Sequence, residues 1–201
     1  MKRGYQNSIL FLLAISLSFI SIKSKQDQLS KKALERMDKA LSKIWKGHQF
    51  SKEEVQIPDS IDKELEFHSQ KNAIYVINNS MNMLGLTYIG RVNSCRIGGC
   101  ASPYSDEKPT DHEHFDYMIV FEPQSLEIIK IEVLEYQATY GFEICSPGWL
   151  KQFVGYNGIK PLDYGDEIQA LSGATISGIA ITLDVEQVSK YMQSLRVREL
   201  I

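Results

Sequence analysis

Four β-prone runs follow one another between residues 73 and 136 with no helical crossover between them, and this arrangement constrains the fold most strongly. The runs cover residues 73–78, 85–92, 115–122 and 127–136. In the third run, large apolar side chains at every second position share one face of a strand: Phe115, Tyr117, Ile119 and Phe121. The fourth run is its expected antiparallel partner, with Ile129, Ile131 and Val133 on one face. Parallel strands need long crossovers, usually helical. We therefore predict an α+β fold with a small, mostly antiparallel sheet, and not a doubly wound sheet.

Helical periodicity flanks these strands at both ends of the chain. Residues 29–46 carry apolar side chains every three to four positions, Ser30 can cap the start and Gly47 marks the end. Shorter helices are expected at residues 61–67 and 149–153. A long C-terminal amphipathic helix is predicted from a stripe with the same spacing: Ile181, Val185, Val188, Met192 and Leu195.

The first 25 residues have the character of an export signal. Lys2 and Arg3 precede 14 uncharged residues at 9–22, which is short for a membrane span and suits a signal peptide. An uncleaved membrane anchor is the alternative. We expect residues 1–25 to be the signal or anchor, 26–70 a helical N-terminal region and 71–201 the main domain. The protein would then be exported, either periplasmic or anchored to the outer face of the cytoplasmic membrane.

Charge argues against a nucleic-acid partner. The net charge is −3, and the first 25 residues hold four basic and no acidic residues. The remainder therefore has 22 − 4 = 18 basic against 25 acidic residues, a net charge of −7. A nucleic-acid-binding surface needs the opposite balance.

The cysteines and histidines allow several interpretations. Cys95 and Cys100 enclose two glycines and are suited to a disulfide in an exported chain, which leaves Cys145 unpaired. The alternatives for the three cysteines are free thiols, or a metal or redox role. His112 and His114 would face the same side of a strand, as two metal ligands do. Both histidines also lie at the start of the clearest predicted strand, where polar residues are common.

The segment Ser172-Gly173-Ala174-Thr175-Ile176-Ser177 lies just before the predicted C-terminal helix. Small residues allow close approach to the backbone, and a helix N-terminus offers unpaired N–H groups and partial positive charge to a phosphate. Ser177 could cap the helix or donate to that phosphate. A plain loop with a Ser or Thr cap is the alternative.

Ser172-Gly173-Ala174-Thr175 resembles the flavin-attachment motif of the FMN-binding domain family, found in the C and G subunits of sodium-pumping and related quinone oxidoreductases. The resemblance implies FMN joined by a phosphoester to Thr175. Gln169 stands where such motifs carry an Asp. A second segment, Ala138-Thr139-Tyr140-Gly141, is similar to the family's Glu-Thr-Pro-Gly at its Thr and Gly. Together with Trp149 and Phe153, it also resembles small exported bacterial FMN-binding proteins.

This resemblance implies an electron-transfer flavoprotein that works outside the cytoplasmic membrane. Its cofactor-binding residues would be Ser172, Gly173, Ala174, Thr175, Ser177, Thr139, Tyr140, Gly141 and Trp149. Its partners would be a flavin transferase and membrane or extracytoplasmic redox proteins.

Two other functions stay open. One is a non-covalent FMN-dependent reductase with Tyr140 or His114 as proton donor, and the other is a non-redox binding domain that has lost flavin. No Ser-His-Asp order, P-loop or GxGxxG motif is present, so no catalytic residue is assigned.

Overall fold

The computed structural model describes residues 29–67, 72–96 and 112–201, and within them the chain folds as one antiparallel sheet between helices. The five strands lie side by side in chain order, each antiparallel to the next. The predicted α+β class is confirmed. The elements are α1 (Lys31–Ile44), β1 (Ser51–Glu54), α2 (Asp59–Glu64), β2 (Asn72–Asn78), β3 (Met83–Arg96), β4 (His112–Phe121), β5 (Ile128–Tyr136), α3 (Pro147–Leu150) and α4 (Thr175–Val197). Short 3₁₀ turns at Phe142–Cys145 and Lys151–Phe153 flank α3.

The two long helices cover opposite faces of the sheet. Strand β4 alternates as predicted, with Tyr117 and Ile119 in the core that includes α4, and Met118 and Val120 in the core that includes α1. Because both faces of β4 are buried, this strand is the centre of the molecule. The buried side chains of helix α1 share one core with Ile77, Ile89 and Met118 of the sheet.

Helix α1 is tied to the sheet at its first turn. The Ser30 hydroxyl accepts a hydrogen bond from the Ala33 N–H at 3.0 Å, which confirms the predicted cap. The same hydroxyl donates to the Glu135 carboxylate on β5, and Lys32 lies 3.5 Å from that carboxylate. One serine therefore caps the helix and fixes where it meets the sheet.

Two details of the strands differ from the sequence prediction. Strand β1 has only polar, exposed side chains, so no apolar alternation marks it; backbone pairing with β2 holds it at the sheet edge.

In β5, Ile129 is exposed, although it was expected to share one face with Ile131. The register shifts between Val120 and Phe121, and Ile129 has no partner in β4, so this bulge turns its side chain outward.

A half-buried carboxylate on α4, that of Asp184, makes stability depend on pH. The Tyr117 hydroxyl donates to Asp184, yet burial outweighs this bond and raises the pKa of Asp184 to about 6. The Tyr117 pKa is also raised, chiefly by burial and next by the Asp184 charge. Since the folded state holds the Asp184 proton more tightly than the unfolded chain, stability falls as pH rises from about 4 to about 6.

Asp184→Asn is therefore expected to stabilise the protein at pH 7 and to have little effect below pH 4. The rise in the pKa of Asp184 to about 6 corresponds to a gain in the free energy of unfolding of about 3 kcal/mol if the side chain is fully buried. Because Asp184 keeps some accessible surface, we expect a gain of about 1–2 kcal/mol. Urea unfolding at several pH values measures this gain, with exposed Asp166→Asn as the control. Destabilisation by Asp184→Asn across the whole pH range would contradict this account.

No helix within the described residues is both long enough and apolar enough to cross a membrane. The predicted signal or anchor at residues 1–25 lies outside those residues. So do Cys100 and the side chains of Cys95 and His112, together with the disulfide and metal interpretations that depend on them.

Candidate functional site

A cavity of about 240 Å³ lies where the two sequence-predicted segments meet. One wall comes from the loop after β5 and the other from the first turn of α4 and the residues before it. The lining residues are Tyr140, Gly141, Gly173, Ala174, Thr175, Ile176 and Ser177. The fold thus brings together most of the predicted site, whereas Ser172, Thr139 and Trp149 lie outside the lining.

The wall formed by α4 is an uncapped helix start. Helix α4 begins at Thr175, its N-cap residue is Ala174, and no side chain caps it. The first helical backbone bond runs from the Gly178 N–H to the Ala174 carbonyl, so the N–H groups of Thr175, Ile176 and Ser177 have no acceptor in the described structure. These donors and the helix dipole favour an anion. The Thr175 side chain is exposed, so its hydroxyl is accessible from solvent.

Ser177 does not cap the helix, contrary to one expectation for it. Its side chain is 1% exposed, and its Oγ lies 2.6 Å from Ser94 Oγ and 3.0 Å from the Tyr136 hydroxyl. Because the Tyr136 hydroxyl donates its hydrogen to the Tyr140 carbonyl, the Ser177 hydroxyl donates to Tyr136 and accepts from Ser94. What Ser177 offers to an anion is therefore its backbone N–H.

This hydroxyl chain joins three elements beneath the cavity. Ser94 lies on β3, Tyr136 at the end of β5 and Ser177 on α4, and Tyr136 holds the backbone at Tyr140. The sequence gives no local signal for Ser94 or Tyr136, because they are brought to Ser177 only by strand pairing.

Gly141 allows the two walls to approach each other. Its φ is +89°, and a Cβ there would lie 2.4 Å from Ser177 Oγ and 2.8 Å from the Tyr136 hydroxyl. Only glycine combines this left-handed backbone with so close a contact.

Gly141→Ala is expected to lower the free energy of unfolding by about 2–4 kcal/mol, because backbone strain and steric overlap add. Gly155→Ala is the matched control: its φ is +90°, but a Cβ there would meet nothing within 4 Å. That variant should show the backbone strain alone, about 1 kcal/mol. Equal destabilisation of the two variants in urea would mean that the Gly141 contact does not matter.

Glu113 fixes the loop that carries Tyr140 and Gly141. Its carboxylate accepts hydrogen bonds from the Thr139 N–H at 2.7 Å and from the Thr139 hydroxyl. Thr139 is therefore a residue that holds the loop and does not line the cavity. Within the described part of the chain, no cluster of three or more His, Cys, Asp or Glu side chains could hold a metal.

Tyr164 supports the other wall. Its ring lies against Gly178, where a Cβ would come within 2.4 Å of it, and its hydroxyl accepts from the Leu171 N–H at 2.8 Å. This contact fixes the chain just before Gly173. A glycine inside an amphipathic helix is the one sequence signal that points to such a contact.

Trp149 lies in the core and not at the cavity. Its ring is nearly buried, packs edge-on against Phe153 at 5.5 Å and donates to the Gln169 carbonyl at 2.7 Å. Gln152 accepts from the Gln169 N–H at 2.9 Å, so the backbone at Gln169 is held from both sides. The expected contact between Trp149 and a cofactor in the cavity has no geometric support.

The charge around the cavity is unusual for a phosphate site. None of the described lining residues is Lys or Arg. The Glu143 carboxylate lies 3.5 Å from the position of a Cβ on Gly173. An anion here depends on backbone N–H groups alone, and such a site suits one negative charge better than two.

Cys145 is a free cysteine near this loop, and its chemistry does not suggest a reactive site. Burial raises the pKa of the Cys145 thiol to about 11. The thiol is therefore protonated at neutral pH and is a poor nucleophile.

Comparison with known proteins gives no match to any family model and no match to a curated protein.

Proposed function

We propose that this protein is an extracytoplasmic electron-transfer flavoprotein that carries FMN through a phosphoester at Thr175. The observation that carries the proposal is the cavity in which Tyr140-Gly141 and Gly173-Ala174-Thr175 face each other. Both segments were selected from the sequence for their resemblance to the same family, and they lie far apart along the chain.

The residues present fit the phosphate end of FMN. A phosphodiester carries one negative charge, and three N–H groups at the start of α4 are free to meet it. Free FMN carries up to two charges on its phosphate, and the described lining has no cationic side chain to balance them. The site therefore favours a covalent bond over capture of free FMN.

Attachment requires an accessible hydroxyl and an activated flavin phosphate. The exposed Thr175 side chain can reach the active site of a flavin transferase. Thr175 Oγ forms a bond to the flavin-side phosphorus of a flavin phosphoanhydride, and the anhydride P–O bond breaks. The second phosphate leaves as a phosphate monoester, and the hydroxyl proton passes to solvent. No oxidation state changes in this step.

FMN supplies one- and two-electron transfer, and the protein fixes where the flavin sits and how exposed it is. The described residues around the cavity include no paired carboxylates and no nucleophile with an adjacent base, so a carrier fits better than an enzyme with its own substrate. The proposed redox partners are membrane or extracytoplasmic proteins, and this location rests on the leader-like residues 1–25.

Visible absorbance before and after denaturation separates the competing functions. The full chain is coexpressed with a flavin transferase, exported and purified. We expect a yellow protein whose colour stays with the polypeptide in guanidinium. Colour lost on denaturation would favour the non-covalent reductase, and a colourless protein would favour a binding domain without flavin.

A further inference from the structure

Two aromatic rings next to the cavity are turned toward solvent. Tyr140 is 69% exposed and Phe142 is 67% exposed, and they are the aromatic residues among the exposed large apolar side chains of the described chain. They flank Gly141, and Tyr140 itself lines the cavity. Exposed aromatic surface beside a cavity is typical of a ligand-binding surface.

The cavity is too small to enclose a flavin nucleotide. Pockets that enclose ligands of this size measure about 300–1,000 Å³, and this one measures about 240 Å³. If the phosphate and part of the ribityl chain lie at the start of α4, the isoalloxazine ring must lie at or beyond the mouth. Tyr140 and Ile176 supply the large apolar side chains of the lining, and the exposed Phe142 lies two residues beyond Tyr140.

Tyr136 holds both residues, through ring packing at Phe142 and through a backbone bond at Tyr140. Tyr136 meets Phe142 edge-on at 5.7 Å between ring centroids and stacks on Phe115 at 5.7 Å. Its hydroxyl also donates to the Tyr140 carbonyl. Phe115 is fully buried, so this column of rings connects Phe142 to the core, while Tyr140 is held by its backbone.

We propose that Tyr140 and Phe142 form the surface on which the isoalloxazine ring lies, with Tyr136 as a positioning residue behind them. This inference rests on the proposed function and adds a ring site to its phosphate site. A flat ring with apolar faces gains from aromatic contact, and both side chains lose exposed surface when it binds.

The test uses the full chain carrying covalent flavin and reads the optical properties of the ring. A tyrosine in contact with isoalloxazine quenches its fluorescence by electron transfer. Tyr140→Phe is therefore expected to raise the emission several-fold while keeping an apolar surface. Phe142→Ala is expected to lower the fluorescence anisotropy and weaken the visible circular dichroism, because the ring gains freedom. Val197→Ala is the control, since this exposed residue is at the far end of α4, about 33 Å from Thr175.

Intact mass separates failure of this inference from failure of the proposed function. Flavin that is attached but optically unchanged in Tyr140→Phe and Phe142→Ala would overturn the ring surface and leave the attachment standing. If no flavin is attached, riboflavin, which has no phosphate, is titrated against the unloaded protein and its quenching recorded. Quenching that Phe142→Ala weakens several-fold would support the ring surface, and no quenching by the unaltered protein would overturn it.

Discussion

Thr175→Ala is expected to abolish covalent flavin and to leave the fold intact. The side chain is exposed, makes no hydrogen bond in the described structure and occupies the first position of α4, where alanine is well tolerated. We expect the free energy of unfolding to change by less than about 0.5 kcal/mol. The loss of flavin should be complete, because the other aliphatic hydroxyl in the cavity lining, that of Ser177, is buried.

Ser172→Ala is the matched control for that variant. Ser172 carries a hydroxyl three residues earlier, is also exposed and lies outside the cavity lining. It should keep its covalent flavin. Flavin fluorescence on a denaturing gel compares the two variants directly, and a Thr175→Ala band as bright as the unaltered protein would show that Thr175 is the wrong acceptor.

Arg91→Met is expected to cause the largest loss of stability, about 3–5 kcal/mol. Arg91 on β3 and Asp116 on β4 are directly paired across the sheet and form a two-pronged ion pair at 2.6 and 2.8 Å. The Asp116 side chain is 1% exposed and the Arg91 side chain 12% exposed. Removing the guanidinium leaves a carboxylate buried without its partner, and that desolvated charge is the source of the cost.

Chemical denaturation of Lys52→Met provides the comparison. Lys52 pairs with Asp38 at the surface, where both side chains are partly exposed, so that variant should lose less than about 1 kcal/mol. Adding Asp116→Leu to Arg91→Met should recover much of the loss, because no buried charge remains. A small cost for Arg91→Met alone would mean that water reaches Asp116.

The sheet and its class could be predicted because alternation and helical spacing are local. The β4 alternation is the clearest example, and the Ser30 cap is another. The same reasoning missed β1, whose polar side chains carry no periodic signal, and assigned Ile129 to the wrong face. The bulge that displaces Ile129 depends on its pairing with β4 and not on its neighbours in sequence.

The two segments of the site could be found from the sequence, but the groups that hold them could not. Glu113 and Ser94 act through bonds to Thr139 and Ser177, which lie far away along the chain, and Tyr136 reaches Ser177 in the same way. Trp149 was selected because it is aromatic and close in sequence to the second segment, and it lies in the core. Exposure of Phe142 was not predictable, because an apolar side chain in a β-rich domain is usually buried.

Intact mass of the exported protein, produced with a flavin transferase, tests the central claim most directly. The account predicts a polypeptide heavier by one FMN less one water, with the added mass on the peptide that contains Thr175. A protein that has only the mass of its polypeptide, from cells that flavinylate another substrate of the same transferase, would contradict it.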